Sequence, residues 1–365
     1  MKKSVLVCIP CLLTGGTEMQ TLNLVRALKE ADYEVTTVCY FEHSSSIVEA
    51  YQNAGSKVIC LSAQSSRPKG IWRTIAFLYN GFSKLLKTTR FDIVHVQYMA
   101  PGAIPIILLR LLGCKEIIAT AHTCADIYPN LRLIHFLQKH VLRAFTCISL
   151  TAEKSFFGKA SLFNKETIIG KRNHFSIYNA LSPNIPIRQA PRQFEEPLTI
   201  GVVSRLEHIK GMDLVIPAFE QVHSSFPATR LLIVGDGSLR TLMEQQATSI
   251  QDVVTFVGRQ PADQLCAFYD KIDILWIPSR SEGFGLTALE GMARGCVVVS
   301  SKVGGLTEVV SPQYAVEKHN LSTRCMSLVK DKEHLQSISK ANIERASEFS
   351  FPLYASQIDS LYSSL

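Results

Sequence analysis

Short apolar runs alternate with longer amphipathic segments along almost the whole chain. In the first half, the apolar runs predict six strands, at Val5–Ile9, Glu34–Tyr40, Lys57–Leu61, Ile93–Gln97, Glu116–Thr120 and Thr146–Leu150. Segments with helical periodicity lie between them, among them Met19–Ala31, Ile71–Thr88 and Leu131–Ala144. Strands that alternate with helices in this way are typical of a parallel sheet with crossover helices on both faces. The first half therefore predicts a doubly wound α/β domain.

The same pattern restarts after a segment with little periodicity. Residues 180–197 hold four prolines, and this stretch is the best candidate for a linker. Beyond it, apolar runs predict further strands at Leu198–Val203, Arg230–Val234, Val253–Val257, Ile272–Ile277 and Val297–Ser300. We expect two Rossmann-like domains, at residues 1–188 and 195–349, with the carboxyl ends of their strands facing a cleft. A final helix is predicted within Phe349–Leu365, and residues 350–365 are expected to return to the first domain.

The length and composition suit two folded domains. The chain has 365 residues, of which 47% are apolar and 19% charged, and this composition excludes a disordered chain. No apolar run reaches the ~18–20 residues that a membrane-spanning helix needs. The apolar segment Ser4–Leu13 is interrupted by Pro10 and lacks a small-residue cleavage site, so we do not expect a signal peptide.

The cysteines indicate a reducing compartment. There are ten, without a repeated spacing, as in a reduced cytoplasmic enzyme. The pair Cys8-x-x-Cys11 could suggest redox chemistry, but it straddles the end of a strand rather than opening a helix. We therefore expect structural thiols and a cytoplasmic location.

The net charge of +7 is divided unequally between the two halves. Residues 1–190 carry 22 Lys and Arg against 11 Asp and Glu, a balance of +11, and residues 191–365 carry 16 against 20, a balance of −4. This asymmetry predicts an anionic partner for the first half. Nucleic acid is not expected, since no zinc-finger, helix-turn-helix or aromatic RNA-binding motif accompanies the charge. An anionic membrane surface fits better.

Two predicted helices of the first half are both basic and amphipathic. Ile71–Thr88 combines Trp72 and Phe77 with Arg73, Lys84 and Lys87, and Leu131–Phe145 has a similar mixture. Such helices can lie on the inner face of the cell membrane as peripheral contacts. Alternatively, each apolar stripe covers the sheet, as helices of this fold class must. The sequence leaves both readings open.

Glycine-containing turns follow several predicted strands and are candidate phosphate sites. Gly15 and Gly16 follow the first strand and precede a helix expected to begin near Glu18. Gly235 and Arg259 lie in two further turns in the second half. Glycine permits close approach of a phosphate to the backbone, and a helix dipole behind it favours an anion. None of these turns is the G-x-G-x-x-G of a dinucleotide-dependent oxidoreductase or a Walker loop.

Charged side chains in the second half predict a site for a ligand with both phosphate and sugar groups. Arg205 and Lys210 follow the first strand of that half and can jointly neutralise a diphosphate. Glu282 lies on a glycine turn that opens a helix, whose first N–H groups are unpaired. Its carboxylate can accept hydrogen bonds from hydroxyls, and Glu290, further along the helix, can bridge a vicinal diol.

Two histidines have different expected roles. His122 lies just past a predicted strand, where it can hydrogen-bond a substrate hydroxyl or an oxygen that gains charge. His95, inside a strand, is expected to be a core residue with its hydrogen bonds satisfied. No histidine pair has metal-ligand spacing and no Asp-x-Asp is present, so we expect no catalytic metal and no other cofactor.

Taken together, these motifs resemble the retaining glycosyltransferases of family 4, also described as glycosyl transferases group 1. The segments that carry the resemblance are Arg205 with Lys210, Gly235-Asp236-Gly237, Pro278-Ser279, Glu282-Gly283-Phe284-Gly285 and Glu290. The resemblance is most specific over residues 198–310. It implies the GT-B fold, in which two Rossmann-like doubly wound parallel-sheet domains face each other across a cleft.

The resemblance also implies a reaction and its participants. A nucleotide-diphosphate sugar would donate a hexose-type sugar to a hydroxyl of a glycan or lipid-linked acceptor, with retention and without metal. The catalytic residues would be His122, Arg205, Lys210 and Glu282. Donor binding would involve Gly15, Gly16, Arg205, Lys210, Gly235, Arg259, Glu282, Gly283, Phe284, Gly285, Leu286 and Glu290. The basic first half favours a role in bacterial surface polysaccharide synthesis.

Three departures from the family pattern are visible. The chain reads Asn179-Ala180-Leu181-Ser182 where many members have Asn-Gly-x-Asp, Thr123 where aspartate is common, and Cys296 where proline is usual. None of them removes a charged group from the expected donor site. Two alternatives stay open: an inactive nucleotide-sugar-binding partner subunit, and a sugar-nucleotide epimerase with the same fold.

Overall fold

A computed structural model describes residues 2–97, 103–128, 130–164, 173–317 and 320–365. The chain divides into two compact units, of which the first comprises Met1–Ala180 with Phe351–Leu365 and the second comprises Leu181–Ser350. The C-terminal helix is therefore part of the first unit.

A seven-stranded parallel sheet organises the described part of the first unit. Its strands are β1 Ser4–Ile9, β2 Glu34–Cys39, β3 Lys57–Cys60, β4 Ile93–Gln97, β5 Ile117–Ala121, β6 Ala144–Cys147 and β7 His174–Ser176. They lie in the order β3-β2-β1-β4-β5-β6-β7. The helices are α1 Gly16–Glu30, α2 Ser45–Asn53, α3 Ile71–Thr88, α4 Ile104–Leu111, α5 Leu131–His140 and α6 Leu150–Phe157, with a 3₁₀ turn at Ala125–Ile127.

Successive residues of a strand point to opposite faces of a sheet, so both faces carry apolar side chains. Helices cover both faces. From β1, Leu6 contributes to a core cluster that contains Leu78 and Phe82 of α3. The neighbouring Val7 contributes to a second cluster, which contains Leu22 of α1. Helices on both sides of a parallel sheet are the doubly wound arrangement that the alternating pattern predicts.

A six-stranded parallel sheet organises the described part of the second unit. Its strands are β8 Thr199–Val203, β9 Arg230–Val234, β10 Val254–Gly258, β11 Ile274–Ile277, β12 Val297–Ser301 and β13 Ala315–Val316, in the order β10-β9-β8-β11-β12-β13. Its helices are α7 Val215–Ser225, α8 Arg240–Gln246, α9 Leu265–Tyr269, α10 Leu286–Ala293, α11 Leu306–Val309, α12 Leu321–Val329 and α13 Lys332–Ser347. Turns of 3₁₀ helix occur at His208–Lys210, Met212–Leu214, Ala247–Val253 and Pro312–Tyr314.

The final helix, α14, spans Phe351–Ser363. Its Ile358, Leu361 and Tyr362 are buried in the same cluster as residues of α1. These apolar contacts explain why the last residues of the chain belong to the first unit.

Two predicted boundaries are wrong around β6. The predicted strand Thr146–Leu150 begins instead at Ala144 and ends at Cys147, and the predicted helix Leu131–Ala144 ends at His140. Ser149 stops the extended run, because its side chain caps α6 by accepting a hydrogen bond from Ala152 N at 3.2 Å. The three-residue strand β7 is too short to stand out as an apolar run.

Candidate functional site

The loops that carry the predicted residues of the second unit follow strands that are neighbours in its sheet. Arg205 follows β8, Gly235 follows β9 and Glu282 follows β11, and β8 lies between β9 and β11. Since all these strands are parallel, their carboxyl ends meet at one edge. The sequence order reverses at β8, and such a switch point is where open α/β sheets form ligand sites.

Two glycines let these loops pack backbone against backbone. Gly211 has a φ of +70°, and a Cβ there would overlap the carbonyl oxygen of Pro278. Gly304, after β12, has a φ of +50°, and a Cβ there would overlap the carbonyl oxygen of Glu282. Only glycine fits both the left-handed conformation and the close approach. The loops after β8, β11 and β12 are thereby fixed relative to one another.

Arg280 links the loop after β8, which holds Lys210, to the loop after β11, which holds Glu282. Its Nη1 and Nη2 donate to the two carboxylate oxygens of Asp213, each at 2.7 Å, and Nη1 also donates to the carbonyl of His208 at 2.6 Å. The hydrogen-bonded Arg280 guanidinium lowers the pKa of Asp213 below its usual value. Sequence analysis missed this clamp. Its only sequence signal is an arginine inside the Ser279–Glu282 segment and an aspartate just after Gly211.

Lys210 and Glu282 form an ion pair inside this frame. Lys210 Nζ donates to Glu282 Oε2 at 2.7 Å, and Ser279 Oγ lies 3.3 Å from the same oxygen. The two charged side chains are 20% and 19% exposed, so they are shielded but still accessible to a ligand. The structure therefore brings together two predicted residues that are 72 positions apart.

Arg205 and Arg259 are exposed and lie outside this pair. Among the described contacts of the second unit, neither guanidinium forms a hydrogen bond or an ion pair. Gly235 is held in its turn by a hydrogen bond from its N–H to the carbonyl of Gly258 at 2.9 Å. Arg205, two residues after β8, is an exposed cation near the same sheet edge.

Helix α10 begins directly after the Glu282 loop, with Gly285 as its N-cap at a φ of +103°. The ring of Phe284 is 2% exposed and packs edge-on against Phe349, at 5.6 Å between centroids. Phe284 therefore offers a ligand its backbone rather than its ring. The backbone N–H groups of Gly285 and Leu286 lie in the first turn, where helices leave such groups unpaired.

Glu290 lies in α10 and is half-buried. Tyr269 Oη donates to its Oε2 at 2.6 Å. Burial raises the pKa of Glu290 to about 7, and the hydrogen bond from Tyr269 acts in the opposite direction. Sequence analysis did not find Tyr269, because it lies in a short helix outside every motif.

In the first unit, His122 directly follows β5 and is 5% exposed. Its Nε2 lies 2.8 Å from Gln97 Oε1, an acceptor, so Nε2 carries the proton and Nδ1 the lone pair. Burial lowers the pKa of His122 to about 3, which keeps the imidazole neutral near pH 7. A neutral imidazole can exchange hydrogen bonds with a hydroxyl but does not add a positive charge.

The expectation that His95 is a satisfied core residue is confirmed. It is 2% exposed, with Nδ1 at 2.6 Å from Tyr362 Oη and Nε2 at 2.7 Å from Thr120 Oγ1. Thr120 continues the chain to Thr146, at 2.6 Å between hydroxyl oxygens. The network links strands β4, β5 and β6 to α14 within the first unit.

The loop at Gly15 and Gly16 differs from its prediction. Helix α1 begins at Gly16 rather than near Glu18. The Glu18 carboxylate folds back onto Gly15, and Cys11 Sγ donates to its Oε1 at 3.1 Å. A carboxylate thus lies at the helix N-terminus, where a phosphate was expected. Burial and the nearby Glu18 raise the pKa of the Cys11 thiol to about 12, which suits a structural thiol rather than a reactive one.

The described residues contain no group of three or more His, Cys, Asp or Glu side chains arranged to hold a metal ion. They also contain no helix with the length and apolar character needed to cross a bilayer.

Comparison with known proteins identifies two family models that match the chain. Residues 14–156 match "Glycosyltransferase Family 4" and residues 184–345 match "Glycosyl transferases group 1". An uncharacterized glycosyltransferase of Methanocaldococcus jannaschii is 24% identical over 362 residues, which cover 96% of this chain and 95% of that protein. The gpi3 subunit of phosphatidylinositol N-acetylglucosaminyltransferase from Schizosaccharomyces pombe is 30% identical over 308 residues, covering 81% of this chain and 65% of the subunit.

Solved structures confirm the fold. Anabaena HepE, crystallised in complex with UDP and glucose, superposes with a TM-score of 0.76 at 18% identity and full coverage of both chains. The predicted GT-B architecture of two parallel-sheet α/β domains is therefore confirmed.

The packing at Gly211 predicts a difference between two alanine substitutions. Gly158, with a φ of +71° and open space around a Cβ, is a matched control for Gly211, whose φ is +70°. Gly158→Ala should lower the free energy of unfolding by about 1 kcal/mol through backbone strain alone. Gly211→Ala should cost an additional ~1–3 kcal/mol, because the Pro278 carbonyl must move. Urea unfolding measures both losses, and equal losses would contradict the packing described.

Proposed function

Since this chain belongs to the GT-B glycosyltransferases of the group 1 and family 4 models, we propose that it transfers a hexose-type sugar with retention. The donor is a nucleotide-diphosphate sugar, the acceptor is a hydroxyl of a glycan or glycolipid, and no metal takes part. The observation that carries the proposal is the Lys210–Glu282 ion pair, held beside the start of α10. It places a fixed cation, a carboxylate and unpaired helix N–H groups within one loop cluster.

Cleavage of the donor places negative charge on the leaving diphosphate and positive charge on the sugar. Lys210 is already oriented by its loop, which Arg280 ties to the Glu282 loop. Arg205 is exposed and can move onto a phosphate oxygen. Fixed cations aimed at developing charge are typically the largest catalytic contribution, and loss of one costs ~3 kcal/mol or about 10²–10³ in rate.

When donor is present, two anions can bind the Lys210 ammonium: the Glu282 carboxylate and the donor diphosphate. In the structure the ammonium donates to Glu282. When a diphosphate takes over the ammonium, Glu282 becomes free to accept hydrogen bonds from donor-sugar hydroxyls and to stabilise the sugar cation. The proton of the attacking hydroxyl passes to a diphosphate oxygen, so a separate general base is not required.

The remaining donor contacts are proposed from the position of each loop. Glu290 accepts hydrogen bonds from the ribose diol, and the turns at Gly235 and Arg259 receive the base. The backbone from Gly283 to Leu286 holds the sugar and phosphate. In the first unit, neutral His122 exchanges a hydrogen bond with a sugar hydroxyl through Nδ1. Gly15 and Gly16 assist the diphosphate once Glu18 has moved away.

Exposed apolar residues on α3 support a lipid-linked acceptor. Trp72 is 79% exposed, Ile71 is 53% exposed and Tyr79 is 45% exposed, whereas Leu78 and Phe82 are buried and cover the sheet. The buried face confirms that the apolar stripe of this helix covers the sheet, and the exposed face supports the membrane contact as a proposal. The exposed residues accompany the basic charge of the first half, and the gpi3 relative is named for action on phosphatidylinositol.

We infer that α3 rests on an anionic lipid surface at the cytoplasmic face of a membrane, where the acceptor is found. A role in the synthesis of bacterial surface polysaccharide fits such an acceptor.

Loss of one site cation should abolish turnover without unfolding the chain. A thermal-shift screen with UDP-, GDP- and ADP-sugars first identifies the donor. With it, Arg205→Ala and Lys210→Ala should each lower kcat by about 10²–10³. Arg230→Ala is the control, because Arg230 is exposed at the amino end of β9, away from the loop edge. Near-normal turnover of both site variants would reject the role of the cations.

Product analysis by NMR separates the remaining alternatives. An α-linked product from an α-linked donor is expected. An inverted product refutes retention, a rearranged nucleotide sugar indicates an epimerase, and donor binding without product indicates an inactive partner subunit.

Removing the exposed apolar residues of α3 should weaken membrane binding. The double variant Ile71→Ser and Trp72→Ser should weaken binding to vesicles that contain phosphatidylglycerol, measured by sedimentation, by about a hundredfold, since about 3 kcal/mol of side-chain burial is lost. Leu353→Ser is the control, because Leu353 is 48% exposed on α14, outside the basic segment. Unchanged binding of the double variant would place the lipid contact elsewhere or remove it.

A further inference from the structure

A buried tyrosine holds the carboxylate assigned above to the donor ribose. Tyr269 closes α9, has no exposed surface and donates from Oη to Glu290 Oε2 at 2.6 Å. Its own backbone carbonyl accepts a hydrogen bond from Cys296 Sγ at 3.3 Å. Because the ring is fully buried and its backbone is held, the hydrogen bond from Oη restricts the rotation of the Glu290 carboxyl group.

The hydrogen bond leaves one edge of the carboxylate available. A carboxylate offers about four lone-pair sites on its two oxygens. Tyr269 uses one site on Oε2, and within the described parts of the chain Oε1 accepts no hydrogen bond. Two adjacent hydroxyls can then bind to Oε1 and to the second lone pair of Oε2. A carboxylate free to rotate would spend part of the time in orientations that cannot accept from both hydroxyls.

The same hydrogen bond controls the charge of Glu290. Burial raises the pKa of Glu290 to about 7, and Tyr269 opposes that rise by stabilising the ionised form. Only the ionised carboxylate accepts from both hydroxyls of a diol, because the protonated form uses one oxygen as a donor. Without Tyr269, a larger fraction of Glu290 would be protonated at neutral pH.

We propose that Tyr269 is a positioning residue for nucleotide recognition, which through Glu290 makes the chain select ribonucleotides over 2′-deoxyribonucleotides. The proposal rests on the role of Glu290 given under the proposed function. Tyr269 touches Glu290 rather than the nucleotide, so its removal changes selectivity and its pH dependence more than folding.

The test compares nucleoside diphosphates with their 2′-deoxy counterparts. Isothermal titration calorimetry of the full chain with UDP, GDP and ADP finds the preferred base, and the deoxy form of that nucleotide gives the ratio of dissociation constants. Wild type should prefer the ribonucleotide about tenfold, the value of one hydrogen bond to a charged group. The preference should rise between about pH 6 and pH 8 as Glu290 ionises.

Tyr269→Phe should reduce the ribonucleotide preference at pH 7 to about threefold. The increase of this preference with pH should move to higher pH, because the pKa of Glu290 is raised in the variant. Tyr314→Phe, another buried tyrosine of the second unit, should keep the wild-type ratio at every pH. If Tyr269→Phe matches wild type at every pH, the proposal is wrong. Should that variant not fold, 3-fluorotyrosine at position 269 keeps the ring and has a more acidic hydroxyl. It should then shift the rise to lower pH, and no shift would overturn the proposal.

The Glu290→Gln variant distinguishes a failure of the Tyr269 proposal from a failure of the ribose role proposed for Glu290. If wild type does not distinguish ribose from deoxyribose, or if Glu290→Gln distinguishes them as well as wild type, the ribose role of Glu290 fails. If Glu290→Gln loses the preference and Tyr269→Phe retains it with an unchanged pH profile, only the role of Tyr269 fails.

Discussion

The ion pair between Lys210 and Glu282 depends on the packing of strand-end loops in the second unit, and the proposed donor chemistry depends on that pair. Gly211 and Gly304 allow carbonyl groups to approach where any side chain would collide. Arg280 then ties the loop of the cation to the loop of the carboxylate through Asp213. Since the parallel strands already end at one edge, the sequence needs only short loops to bring distant charges together. The cation is therefore held in a defined position.

The predicted site residues of the two units differ in charge. In the second unit, Lys210 and Arg205 are charged and accessible, as neutralisation of a diphosphate requires. In the first unit, burial keeps His122 neutral, with its pKa lowered to about 3, and Gln97 fixes which nitrogen carries the proton. Under the proposed function, such a histidine can exchange a hydrogen bond with a substrate hydroxyl without adding a positive charge.

Periodicity and motif spacing predicted the sheets, most strand positions and the residues at strand ends. Strands such as Ile93–Gln97 and Arg230–Val234 were predicted to the residue, because each is a short segment rich in Val, Ile and Leu between polar residues. The contacts among side chains were not predictable. The clamp at Arg280 and the hydrogen bond from Tyr269 join segments far apart in the chain, and neither has a local signal. Glu18 was expected beside a phosphate site. Its carboxylate instead folds onto Gly15 at the helix N-terminus, where it accepts a hydrogen bond from Cys11.

The exchange of partners by Lys210 can be observed directly in a crystal of the chain with its preferred nucleoside diphosphate. The account predicts Lys210 Nζ at about 3 Å from a phosphate oxygen, separated from Glu282, with the diphosphate beside the first turn of α10. A diphosphate bound elsewhere, with Lys210 still paired to Glu282 as in the free chain, would contradict it.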